Sequence, residues 1–230
     1  MQIIGLLGGM SWESSALYYQ LINEEVNRRL GRLHSARSLL YSVDFEEIEQ
    51  MQAAGDWTAA GERLGEAATA LERGGADFIV LCTNTMHKVI ETIESYIHVP
   101  VLHIAEAAAR DIRRQHLTRV GLLGTKYTME ETFYTDGLQA GGLGVTVPGP
   151  EARVEINRII FEELCHGIIH PVSKSYMLEV MTQLRISGAE GIVLGCTELG
   201  MLITPEDTDL PVIDTTRVHA LEAVNKALDN

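Results

Sequence analysis

Basic residues are scarce beside acidic ones in this 230-residue chain: 18 Lys and Arg stand against 32 Asp and Glu, a formal net charge of −14. That balance argues against nucleic acid or an anionic membrane surface as partner, and an acidic ligand would need local donors. Cysteine is scarcer still. Cys82, Cys165 and Cys196 are an odd number at no framework spacing, which argues against a disulfide-stapled secreted scaffold. No apolar run reaches the roughly 18 residues of a membrane-spanning helix. The opening Gln2–Gly9 stretch has neither a basic leader nor a small-residue cleavage site, so a cytoplasmic location is expected. His, Cys and Asp show no metal-ligand spacing, and no lysine stands out as a pyridoxal anchor. No cofactor and no metal is therefore expected. The rest of the composition, 46% hydrophobic and 22% charged, is that of an ordinary globular protein.

What the chain does have is one stretch written twice. Phe78-Ile-Val-Leu-Cys82-Thr83-Asn84-Thr85 returns as Gly191-Ile-Val-Leu-Gly195-Cys196-Thr197-Glu198. Gly75-Ala76-Asp77 leads into the first and Gly188-Ala189-Glu190 into the second, at a constant offset of 113 residues that sets Thr83 opposite Cys196. Two further landmarks repeat in the same order. Ile4-Gly-Leu-Leu-Gly8 is echoed by Val120-Gly-Leu-Leu-Gly124, and Val99-Pro100-Val101-Leu102 by Leu210-Pro211-Val212-Ile213. Short β-branched runs ending in small polar residues read as buried strands feeding helices.

Taken in order, the chain predicts a strand over Gln2–Leu7 and a helix capped by Ser11. A second strand, Ser38–Val43, ends at Asp44. Helices follow around Glu46–Ala53 and from an Asp56 cap to Gly74-Gly75. The first repeated strand leads to a helix over about Met86–Ser95. In the second half, Thr128-Met-Glu-Glu131 reads as a capping box, and a strand runs to Val147. Helices over about Arg153–His166 and Ser173–Ser187 precede the second repeated strand, and a last helix starts near Thr215. The expected fold is α/β: two similar doubly wound parallel-sheet domains related by internal duplication, residues 1–99 plus 208–230 and residues 100–207. Ligands of such sheets bind at the carboxyl ends of the strands, so the active site is expected in the cleft between the two halves.

A nearly symmetric site suits a nearly symmetric reaction: taking a proton from one face of a carbon and returning one to the other. Cys196 sits where a thiol's pKa would fall, at the opening of a helix begun by Thr197 and Glu198, though free cysteines are also often inert core residues. Cys165, among Ile160, Phe161, Leu164 and Ile168, reads as core. Cys82 and Thr83 are neighbours on a strand, so their side chains point to opposite faces and Cys82 packs behind the sheet.

Cys196-Thr-Glu after its apolar strand, Asn84-Thr85-Met86-His87 after the matching strand, and Gly5-Leu-Leu-Gly-Gly-Met10-Ser-Trp-Glu13 together resemble the aspartate/glutamate racemase family over essentially the whole chain. The resemblance implies a cofactor-independent, two-domain α/β isomerase that inverts amino acids with a pair of cysteines. Here Thr83 takes the first cysteine's position, which is similar to the L-aspartate/glutamate-specific, or broad-specificity, subgroup. It further implies that Cys196 acts on the L face and Thr83 on the opposite face. The substrate contacts it implies are Met10 (backbone), Gln52, Asn84, Thr85, Gly167 (backbone), Thr197 and Glu198. Helix capping is the plainer reading of Asn84, Thr85 and Glu198, and a simple turn that of Gly8-Gly9. His87 either tunes the site or serves as a cap. The cation that would read a side-chain carboxylate is open among Lys88, Lys126, Lys174, Arg37, Arg153 and Arg158.

Three rivals stay open. A dinucleotide site would need G-x-G-x-x-G, and Gly5-Leu-Leu-Gly8-Gly9 does not supply it. A non-catalytic amino-acid binder would have lost turnover with its first thiol. A one-cysteine decarboxylase of a malonate-like substrate would generate the carbanion without a second base. The expected partner is a small amino acid, with homodimer formation unsettled.

Overall fold

The first apolar run becomes β1 (Ile4–Gly8), buried along its whole length, in a computed structural model that describes residues 1–229. Gly9 then turns the chain with φ +97°, where a Cβ would run into the backbone of Val43. Only glycine fits that turn. Ser11 caps α1 (Trp12–Leu30), its hydroxyl accepting from the Ser14 N–H. After β2 (Ser38–Ser42), Asp44 caps α2 (Phe45–Ala54) and Asp56 caps α3 (Trp57–Arg73). β3 (Phe78–Leu81) leads into a 3-10 turn, Thr85–Val89, and only then into α4 (Ile90–Glu94). The helix anticipated from Met86 therefore opens with a tighter turn. β4 (Val101–Leu102) completes a parallel sheet of order β2-β1-β3-β4.

The helix α5 (Ile104–Arg114) was not anticipated. Its buried Ile104, Ala107, Ala108 and Ile112 mark one apolar face, and Arg113 and Arg114 close its last turn. Next come β5 (Arg119–Gly124), α6 (Lys126–Glu130), α7 (Thr132–Ala140), β6 (Gly144–Thr146) and α8 (Pro150–Arg158). The capping-box reading at Thr128 is corrected: Thr125 caps α6, and Thr128 lies inside it, fully buried. The long helix expected to reach His166 breaks into a π turn, Ile159–Glu163, and a 3-10 turn, Leu164–His166. The wide turn sets Arg158 and Glu163, five residues apart, within 2.8 Å, and Ser173 donates to the same carboxylate at 2.6 Å. The chain finishes with α9 (Pro171–Ile186), β7 (Gly191–Gly195), α10 (Leu199–Leu202), β8 (Val212–Asp214) and α11 (Thr215–Leu228).

The second sheet, β6-β5-β7-β8, is also parallel and repeats the order of the first. The register repeats too: Leu7 pairs with Leu81, and Leu123 with Leu194. Two compact units result, one of Met1–Ile104 with the stretch from His219 onward, the other of Ala105–Val218. In the first, α3 packs on one face of the sheet, burying Leu64, Ala68 and Leu71 against Ile79 and Leu81. The other face is covered by Tyr18, Ile22 and Val26 of α1 and by Ala220, Ala223 and Val224 of α11. In the second unit, Ile156, Ile160, Met177 and Met181 pack against Leu123, Ile192 and Leu194. Among the described residues no helix is long and apolar enough to cross a membrane.

Candidate active site

In the first unit the candidate residues gather around the turn that follows β3. The Cys82 N–H still reaches the Leu7 carbonyl at 2.9 Å, so the strand's alternation extends one residue past Leu81. The Cys82 side chain accordingly points behind the sheet, fully buried with Tyr18, Ile22 and Val80, and burial pushes its thiol pKa far up. Thr83 is half-buried, and its N–H turns back onto the Leu81 carbonyl at 2.9 Å. Asn84 and Thr85 are buried and open the 3-10 turn. Gln52, near the end of α2, donates Nε2 to the Met86 sulfur at 2.9 Å. Met10, two residues beyond β1, is buried in the same apolar cluster as Met86.

In the second unit Cys196 follows β7 directly and is 9% exposed. Its Sγ donates to Glu198 Oε2 at 2.8 Å, and Thr197 Oγ1 donates to the same oxygen at 2.9 Å. The expected fall in the Cys196 pKa is corrected. The following helix, α10, is a single turn, whereas burial and then the Glu198 carboxylate push the thiol well above its ordinary range. The protonated thiol is the resting form, with its proton aimed at a carboxylate. Gly167 closes the 3-10 turn Leu164–His166 with φ +69°, and that turn packs against α10. Cys165, read as core, is half-buried and packs against the cluster that holds Cys196.

Two polar residues at these strand ends escaped the sequence reading. Thr125 is buried directly after β5, whose Gly124 pairs with Gly195. Asp214 ends β8 beside Leu194, and burial raises its pKa. Each is the first polar side chain to follow an apolar run, which was the available signal. The basic candidates are mostly committed elsewhere. Lys174 pairs with Asp207 at 2.8 Å, Arg153 with Glu130 at 3.2 Å, and Arg158 with Glu155 at 2.7 Å. Lys88 lies over the Trp57 ring at 3.8 Å and Lys126 over Tyr127 at 4.9 Å; Arg37 is exposed.

Two sheets of one strand order and one register, each passing from its third strand in sequence order (β3, β7) into small polar residues, define a duplicated parallel α/β protein of the two-domain kind. The chain belongs to the Asp/Glu/hydantoin racemase family, whose model matches residues 7–223, and with that family it is an isomerase of the racemase class. It is 23% identical to the broad specificity amino-acid racemase RacX of Bacillus subtilis (strain 168), over 98% of each chain. It is 50% identical to a Yersinia pestis protein described as a candidate Asp/Glu racemase, with a TM-score of 0.93 over 99% of this chain and 100% of that one. An aspartate racemase homologue from Pyrococcus horikoshii OT3 is 36% identical, with a TM-score of 0.85 over 99% of each chain.

Proposed function

We propose that this chain is a cofactor-independent racemase of aspartate- or glutamate-like L-amino acids. Cys196 removes the α-proton from the L face, and Thr83 serves the opposite face. The observation that carries the reading is the pair formed by Cys196 and Glu198. Glu198 takes the thiol proton, the thiolate takes the α-proton, and the resulting carbanion receives a proton from the Thr83 hydroxyl. Solvent then resets both groups. Met10 and Gly167, through their backbones, and Gln52, Asn84, Thr85, Thr197 and Glu198 are the proposed substrate contacts. The similarity to RacX, named for broad specificity, supports an amino-acid substrate without fixing its side chain.

The two faces are unequal, because a hydroxyl is a far poorer proton acceptor than a thiolate. Enantiomers have equal free energy, so both directions of inversion share one kcat/KM. Exchange of the α-proton is under no such constraint. The test is formation of the D enantiomer from L-Asp or L-Glu by purified protein. Cys196→Ala is expected to abolish it, a loss of at least about a thousandfold. A Cys196→Ala variant as active as the parent would overturn the reading. Binding without turnover would favour the non-catalytic binder, and carbon dioxide release from a malonate would favour the decarboxylase.

A further inference from the structure

Behind Thr83 lies a histidine cluster, His87 and His219 buried and His103 half-buried, that the proton transfers do not use. His87 is 1% exposed, and its ring has a partner at each nitrogen. Nδ1 lies 2.9 Å from the Thr83 carbonyl oxygen, and Nε2 lies 3.2 Å from the backbone nitrogen of Ile104. A carbonyl only accepts and a backbone N–H only donates. One species satisfies both bonds: the neutral imidazole with its proton on Nδ1. His219 has one nitrogen fixed in the same way: its Nε2 faces the Leu102 carbonyl at 2.8 Å and donates. In the neutral ring its Nδ1 accepts from the Tyr18 hydroxyl at 2.9 Å. His103 and His219 flank the His87 ring, with centroids 4.7 and 5.9 Å away. Burial first, then these two neighbours, hold the His87 pKa well below its ordinary value. A charged His87 would also face the Ile104 N–H with a second donor.

We propose that His87 is the positioning residue for Thr83: its Nδ1–H holds the Thr83 carbonyl while the Ile104 N–H holds its Nε2, so the hydroxyl at position 83 is presented in one place. Both backbone polar groups of Thr83 are then tied, since its N–H already donates to Leu81. A hydroxyl is a weak proton carrier and depends on geometry for its contribution, and a misplacement of about 1 Å costs roughly a hundredfold in rate. This inference rests on Thr83 serving the face opposite Cys196.

Two substitutions separate the two bonds. In His87→Asn the amide nitrogen stands where Nδ1 stood and keeps the bond to Thr83. In His87→Gln the amide oxygen reaches the Nε2 position, keeps the Ile104 bond and loses the Thr83 bond. Both are incubated with an L-amino acid in heavy water, following α-proton loss and chirality together. His87→Gln is expected to slow inversion about 10- to 100-fold while leaving exchange of the L enantiomer within about twofold of the parent. His87→Asn is expected to restore most of the inversion. Unimpaired inversion in His87→Gln, or equal loss of exchange and inversion in both variants, overturns the positioning role. If the unsubstituted protein neither exchanges nor inverts, the racemase reading fails and takes this role with it. A second measurement needs no variant to fold differently. Nitrogen NMR of 15N-histidine-labelled protein is expected to show His87 protonated at Nδ1 and bare at Nε2 from pH 8 down to pH 5. A proton on Nε2 anywhere in that range overturns it.

Discussion

Cys196 and Glu198 are joined by a hydrogen bond of 2.8 Å from thiol to carboxylate, with both side chains nearly closed to solvent. Burial is the first cause of the raised Cys196 pKa, and the Glu198 charge and hydrogen bond follow. Glu198→Gln removes the carboxylate charge and leaves the burial. The thiol pKa is therefore expected to fall yet stay above that of a free cysteine. Alkylation of the Cys196 peptide by iodoacetamide, followed by mass spectrometry against pH, should show its midpoint at lower pH in the variant. An unchanged or higher midpoint contradicts the pairing. Turnover moves the other way, down by about 10²- to 10⁴-fold, because the acceptor for the thiol proton is gone.

Cys82→Ala tests which of two adjacent residues serves the reaction. Cys82 is buried with Tyr18, Ile22 and Val80, on the opposite face of the sheet from the core that Leu81 forms with Ile79 and Leu64. Racemisation is expected within about twofold of the parent, with a stability loss of about 1 kcal/mol from the small void. Loss of turnover at unchanged fold would move the chemistry from Thr83 to Cys82.

Much of this was legible in the residues. The repeated Ile-Val-Leu runs named both central strands, and strand alternation alone put Cys82 and Thr83 on different sides. Ser11 and Asp56 announced their helices because a short polar side chain ahead of an apolar stripe has one common use, whereas Asp44, read only as the end of a strand, proved to cap α2. Three features were not legible. α5 has a well-marked apolar face in Ile104, Ala107, Ala108 and Ile112, but no Ser, Thr, Asp or Asn announces its start, because His103 leads straight into Ile104. The π turn after Arg158 is accompanied by the Glu163 carboxylate being shared between Arg158 and Ser173, a contact that includes a residue ten positions on and that no local pattern announces. The Cys196 pKa was misjudged because a helix opening says nothing about how deeply the sulfur is buried or which way Glu198 turns.

Glu25 supplies a pH test of stability away from the site. It accepts from Arg28 at 2.7 Å and from Arg29 at 2.6 Å, and the Arg28 hydrogen bond above all lowers its pKa from 4.5 to about 2. A depressed carboxylate pKa stabilises the fold above the unfolded value, and that contribution disappears as pH falls through the folded one. The Arg28 side chain is 70% exposed, so solvent screens the pair and the effect is small. Glu25→Gln is expected to melt roughly 2 °C below the parent above pH 4.5, the gap closing between pH 4.5 and 2. A gap that widens on acidification contradicts the assignment.

Tyr18→Phe removes the hydroxyl that donates to His219 Nδ1 at 2.9 Å in a fully buried setting. The cost of taking that donor from a buried acceptor is about 1–3 kcal/mol. The urea midpoint is expected to fall with an unchanged slope. A midpoint equal to the parent's would show that this bond contributes nothing.

The central claim is that one capable sulfur and one weak hydroxyl attend the two faces of the same α-carbon. It is tested most directly by deuterium wash-in from heavy water into L- and D-substrate measured separately, beside the rate of inversion. The account predicts that the L enantiomer loses its α-proton faster than the D form appears, and faster than the D enantiomer loses its own. Equal wash-in into both enantiomers would contradict it.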